Sequence, residues 1–335
     1  MVANIRNRGN SGFMKNRSIE DRIEGIRKGD RLSVTRTITQ VENERGDWEE
    51  VMHRLYAGTG RAYRIGITGP PGAGKSTLTQ KLIRLYRDQG KRVAVVAVDP
   101  TSPFTGGAIL GDRVRMQSES LNEGVFIRSM ATRGSLGGLN VKAQDVADIL
   151  DAAGYDIILI ETVGVGQSEL DIADATDTTV VVLVPESGDS IQAMKSGLME
   201  IADIFVMNKS DREGSDQAVS ALKTILTMRI THAEKEWIPD VVRTVGTDGS
   251  GVDQLVDRIA RHRAFQDENN LLERRRHERE SERLRDLTER YLHRSFWDAS
   301  RLKRFEELSA ELLRRDISPV RAARILAEIP LEVEE

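Results

Sequence analysis

The chain has 335 residues, no cysteine and a formal net charge of −4, its 49 basic and 53 acidic side chains interspersed. That length suits one large α/β domain with helical additions, and the missing cysteines exclude disulfides, thiolate metal sites and cysteine nucleophiles. The mixed charge gives no nucleic-acid footprint, and no run approaches the roughly 20 apolar residues that span a bilayer, so a cytoplasmic protein with neither nucleic acid nor membrane as partner is expected.

Met1–Arg17 carries several basic residues and no apolar core, so it does not read as a secretory signal. Its lack of acids resembles a transit peptide, while a frayed polar tail is the plainer reading. From Ser18 to Gly60 the apolar spacing is helical, with Ile19, Ile23 and Ile26 on one face and Leu32, Val34, Ile38 and Val41 following. Residues 1–60 are therefore expected to form helices packed against a nucleotide-binding domain over 61–265.

That domain opens on a short apolar strand, Arg64–Thr68, which runs into Gly69-Pro70-Pro71-Gly72-Ala73-Gly74-Lys75-Ser76-Thr77 and then into a helical stripe of Leu78, Leu82, Ile83 and Leu85. The loop fits G-x-x-x-x-G-K-[S/T] in the strand–loop–helix setting that gives the motif its meaning. Glycines let backbone N–H groups wrap phosphates, and the helix N-terminus adds positive potential. Lys75 is expected to reach the β- and γ-phosphates and the Ser76 hydroxyl to coordinate Mg²⁺.

Arg92–Val98 is a nearly continuous apolar run, as expected of a parallel strand covered on both faces, and it delivers Asp99 at its C-terminal end. After a strand at Val125–Ile127, Asp156–Ile160 delivers Glu161, where a Mg²⁺-associated acid is expected. Most G proteins have aspartate there, so the glutamate marks a subclass. A strand at Thr179–Val184 precedes Ile204–Met207, which runs into Asn208-Lys209-Ser210-Asp211. This N-K-x-D pattern reads guanine: the Asp211 carboxylate accepts from the base N1–H and exocyclic amine, two donors that adenine lacks in that place. Such a site rejects the wrong base by roughly 10⁴. Asn208 would hold the loop and Lys209 would lie along the ring.

A further strand, Asp240–Arg243, leads to Val245-Gly246-Thr247. The alternation of apolar strands with amphipathic helices predicts a doubly wound, mostly parallel sheet. Beyond Phe265, the mixed charges of Glu273–Tyr291 predict a long exposed helix with a narrow seam of Leu284, Leu287 and Tyr291. Two shorter helices are expected after it, split near Ser318-Pro319. The five histidines, His53, His232, His262, His277 and His293, show no metal-ligand spacing, so surface or capping roles are expected for them.

Three blocks carry a family resemblance: Asp99–Met116 (DPTSPFTGGAILGDRVRM), Phe126–Leu139 (FIRSMATRGSLGGL) and Glu161–Glu169 (ETVGVGQSE). Together with the phosphate loop, they resemble the MeaB-type P-loop GTPases that serve methylmalonyl-CoA mutase. This family includes the methylmalonic aciduria type A protein and members labelled arginine/ornithine transport ATPases. The resemblance implies a Mg²⁺-dependent GTPase, alternating between GTP and GDP, that gates adenosylcobalamin loading of a cobalamin-dependent acyl-CoA mutase and protects the loaded enzyme. It implies a metal environment of Ser76, Asp99, Asp112 and Glu161, ranks Arg115 first among the switch arginines, and makes Gln167 a candidate for orienting water. Lys195 falls in a segment that couples nucleotide state to the mutase, and 266–335 is implied to be a helical arm that pairs two subunits. Where the family has a Ser-Ala pair at the guanine O6, this chain has Val245-Gly246-Thr247, whose Gly246 or Thr247 N–H would serve. A metallochaperone GTPase and a transport-associated nucleotidase are the alternatives; the first would show His- or Cys-rich tracts, and the second would need adenine specificity.

Overall fold

In the computed structural model, the described residues are 18–100, 122–132, 140–162, 168–186, 197–229 and 237–328. Three helices come first: α1 (Ile19–Arg27), α2 (Arg31–Glu42) and α3 (Trp48–Tyr56). Ser18 and Asp21 form a reciprocal capping box at the start of α1, and the Asp30 carboxylate accepts from the Ser33 amide at the start of α2. Each cap satisfies amides that the first helical turn leaves unpaired.

The sheet that follows has seven strands in the order β3-β2-β4-β1-β5-β6-β7, all neighbours parallel. In chain order the elements are β1 (Tyr63–Thr68), α4 (Lys75–Asp88), β2 (Val93–Pro100), β3 (Val125–Thr132), α5 (Asn140–Ala152), β4 (Ile157–Thr162), α6 (Ser168–Ala175) and β5 (Thr178–Leu183). They continue with α7 (Leu198–Ile201), β6 (Ile204–Asn208), α8 (Ser215–Arg229), β7 (Asp240–Thr244), α9 (Val252–Glu268), α10 (Leu271–Phe296), α11 (Ala299–Arg314) and α12 (Pro319–Leu326). The expected doubly wound sheet is present, with a strand on each of the seven apolar runs.

Strand side chains alternate between two packed faces. On β4, Ile158 and Ile160 join the core formed with α1, α2, α3, α5 and α6, whereas Ile157 and Leu159 join the core formed with α4 and α9. Ile26 and Ile38 are fully buried in the first core; burial of such a side chain stabilises by about 1.5–3 kcal/mol. Leu32 does not join them. It is 50% exposed because the buried stripe of α2 runs through Val34, Ile38 and Val41, and Leu32 lies two residues, about 200° of helical rotation, away from Val34.

Contacts divide the chain into two units, Met1–Arg276 and His277–Glu335. The start of α10 belongs to the first. The Arg276 guanidinium donates from Nε and Nη2 to the fully buried Asp177 carboxylate (3.1 and 2.7 Å) and also reaches the Gly60 and Ala62 carbonyls. Asp151 holds the same short linker from its other side, accepting from the Gly60, Arg61 and Ala62 amides. In the second unit, Ser318 caps α12, with Pro319 at its first position.

Candidate nucleotide site

Parallel strands deliver their C-terminal ends to one edge, and a sheet whose strand order turns back on itself opens a crevice there. β1 sits between β4 and β5, so the loop leaving it lies centrally on that edge. Gly69 begins this loop at φ 134°, and a Cβ there would stand 2.1 Å from the Val182 carbonyl oxygen, so only glycine fits. Gly74, at φ 87°, is the N-cap of α4. Lys75 is buried at the head of α4, and its Nζ donates to the carbonyls of Gly69 (2.6 Å) and Pro70 (3.0 Å). Pro71 and Gly72 are exposed at the tip, Ala73 is buried, and Ser76 and Thr77 open the first turn of the helix.

The second loop locks onto the first through one side chain. Asn208 ends β6, is buried, and donates from Nδ2 to the Ala73 carbonyl (2.8 Å). Its Oδ1 accepts from the Thr244 hydroxyl and the Gly246 amide, both at 3.0 Å. One amide thereby ties together the phosphate loop, the end of β6 and the end of β7. Lys209 adopts a left-handed conformation at φ 56° and donates from Nζ to the Gly72 carbonyl (2.9 Å). Left-handed backbone is uncommon for lysine and clusters at ligand-binding turns. Asp211 follows in a turn closed by the Arg212 amide donating to the Lys209 carbonyl (3.0 Å); its side chain is exposed at the same edge.

The third loop is more restricted than its sequence suggests. The Val245 amide donates to the Ser250 carbonyl (2.9 Å), and the Gly246 amide is taken by Asn208. Of the Val245-Gly246-Thr247 amides, Thr247 alone has no partner among the described residues, whereas the Gly246 N–H expected as an alternative donor to the guanine O6 is engaged by Asn208.

Beside the phosphate loop, Glu161, the penultimate residue of β4, is nearly fully buried. Ser76 Oγ donates to its Oε1 (2.6 Å) and Thr79 Oγ1 to its Oε2 (2.7 Å). β2 pairs with β4 so that Ala97 is opposite Glu161, placing the Asp99 backbone two residues further along at the same edge. This gathering of hydroxyl and carboxylate oxygens fits a hard divalent cation such as Mg²⁺, and a serine hydroxyl can offer a lone pair to a metal while donating its proton to a carboxylate. Asp112, Arg115, Gln167 and Lys195 lie outside the described residues.

At the opposite edge, the structure corrects the expectation for His262. It is buried, not on the surface: Nδ1 is 2.8 Å from the Thr178 hydroxyl, Nε2 is 3.5 Å from Asp203, and the ring packs on Trp237 at 4.7 Å. Burial pushes its pKa below the ordinary value, Asp203 opposes that, and Arg275 reinforces it.

Comparison with known proteins agrees with this geometry. Residues 34–301 match the family model described as methylmalonyl Co-A mutase-associated GTPase MeaB. A relative in Pyrococcus horikoshii is 48% identical over 311 residues, covering 92% of this chain and 98% of its own. The GTPase ArgK of Escherichia coli is 34% identical, covering 81% of this chain and 84% of its own. The methylmalonic aciduria type A homolog of Mus musculus, mitochondrial by name, is 37% identical, covering 72% of this chain and 63% of its own. The solved structure of a LAO/AO transport system kinase superposes with a TM-score of 0.71 at 26% identity, covering 94% of this chain and 98% of its own. The phosphate loop, the guanine-type loop joined to it and the family match over most of the length lead to one assignment: the chain is a GTPase of the MeaB family.

Proposed function

We propose that this GTPase is a nucleotide-dependent chaperone for a cobalamin-dependent acyl-CoA mutase of the methylmalonyl-CoA mutase type. The observation that carries the nucleotide half of this reading is the Asn208 junction, which fixes the phosphate loop and both base-facing loops in one arrangement. The client follows from the family model's own description and from the methylmalonic aciduria type A homolog among its relatives.

In this reading Gly69–Thr77 wraps the phosphates, with Lys75 as their main cation, and Asp211 accepts the guanine donors. Ser76, Asp99, Asp112 and Glu161 would hold Mg²⁺, which when bound supplies charge neutralisation at the β- and γ-phosphate oxygens. Arg115 would stabilise charge on the transferring phosphoryl group and Gln167 would orient water. The protein would act in the cytoplasm as a homodimer; among the described residues, no helix is long and apolar enough to cross a membrane.

The test is phosphate release by the purified chain, alone and with each cobalamin-dependent mutase of the same organism. A cognate mutase should raise turnover roughly 10-fold or more, about 1.4 kcal/mol of transition-state stabilisation. Lys75→Ala should abolish turnover in both settings, whereas Lys195→Ala should spare the basal rate and blunt the stimulation. If no such mutase binds or accelerates the chain, the chaperone reading fails and a GTPase with another client remains.

A further inference from the structure

The glutamate at the end of β4 raises a geometric problem. It has one more methylene, and one more rotatable bond, than the aspartate common at this place, so its carboxylate can swing where an aspartate could not. The structure supplies a restraint on α4. Ser76 and Thr79 stand three residues apart, on one face of the helix, and their hydroxyls meet the two oxygens of the same carboxylate, Ser76 at Oε1 and Thr79 at Oε2. Thr79 is fully buried. Its hydroxyl also lies 3.0 Å from the Lys75 carbonyl, but it has one proton, and the closer, charged oxygen at 2.7 Å is the stronger acceptor.

We infer that Thr79 is a positioning residue for the metal site: it pins the distal oxygen of Glu161 and so holds the other oxygen against Ser76, on the side where Mg²⁺ would bind. This rests on the reading of Ser76 and Glu161 as metal ligands. Thr79 touches neither nucleotide nor metal in this role; it acts by fixing the torsion of the longer acid. Outer partners of metal ligands act in this way and are worth about 10–100-fold in metal affinity. An aspartate in place of Glu161 would draw the carboxylate back by roughly one C–C bond, about 1.5 Å. It could not span both hydroxyls, and Thr79 would lose its hold.

The experiment titrates Mg²⁺ against binding of fluorescently labelled GDP to the full chain, with an EDTA baseline. Thr79→Val should raise the Mg²⁺ concentration for half-maximal tightening by about 10–100-fold while leaving the EDTA affinity within about twofold. Thr79→Ser, which keeps the hydroxyl, should restore the parent titration. In a Glu161→Asp background, Thr79→Val should add nothing. A Thr79→Val chain that titrates like the parent, while Ser76→Ala has lost its Mg²⁺ response, overturns the positioning role alone. A Ser76→Ala chain with an unaltered Mg²⁺ response overturns the metal site itself, and Thr79 with it. Loss of GDP binding by Thr79→Val in EDTA would also count against the inference, since it would mean general damage to the phosphate loop.

Discussion

At the scale of single residues, the site depends on a few side chains that each join several segments. Asn208 does this within the protein, and Asp211, exposed beside it, is the residue proposed to accept from the base. Replacing Asp211 with Asn exchanges an acceptor oxygen for an amide that suits xanthine better than guanine. GTP affinity should fall by about 100-fold, about 3 kcal/mol, with partial rescue by XTP. Calorimetry that finds GTP affinity unchanged would remove Asp211 from the base pocket. Motifs such as Gly69–Thr77 and Asn208–Asp211 were legible because backbone wrapping of phosphates and two-point guanine recognition demand fixed residue types at fixed spacing. Thr79 was not legible. A helical threonine announces nothing until β4 brings a carboxylate to it from 82 residues away.

At the scale of elements, strands were the most readable part of the chain. A parallel strand covered on both faces must be apolar almost throughout, so Val93–Val98 and Ile157–Ile160 declare themselves in sequence. The polar cluster beneath the sheet did not, because it is assembled from the starts of β5 and β6 and from α9. His262 lies there against Thr178 and Asp203, with Asp177 and Arg275 close by. Its buried, neutral form makes a prediction. The folded chain resists a proton that the unfolded chain accepts near pH 6.5, so this contribution to stability is complete above that value and is lost as pH falls through it towards the lower folded pKa. His262→Gln should flatten the decline in melting temperature between about pH 7.5 and about pH 5.5. An identical decline in both chains would show that other groups govern it.

At the scale of the whole molecule, the two units differ in how they dispose of apolar surface. The sheet unit buries most of its large apolar side chains in cores on both faces, leaving Leu32, Tyr56 and Ile238 exposed among the described residues, whereas His277–Glu335 exposes Leu284, Tyr291, Leu292, Leu302, Phe305, Leu313 and Val320. The charge spacing that predicted a long helix also predicted solvation, yet Leu284 is 67% and Leu292 62% exposed on it. Sequence revealed a seam of Leu284, Leu287 and Tyr291 but neither Leu292 nor any partner for these side chains, because pairing between chains leaves no periodic signal of its own in one chain. If this unit is the pairing arm that the family resemblance implies, these side chains supply its buried face, and charges placed there should separate the subunits without harming the nucleotide site. Leu284→Glu combined with Leu292→Glu should convert a dimer to a monomer in light scattering at tens of micromolar, while GDP affinity stays within about twofold, because neither leucine belongs to the residues proposed to hold the nucleotide. A parent chain that is already monomeric at that concentration ends the arm reading. A double variant that remains dimeric would move the interface to another surface and leave the exposed leucines of α10 without a role in pairing.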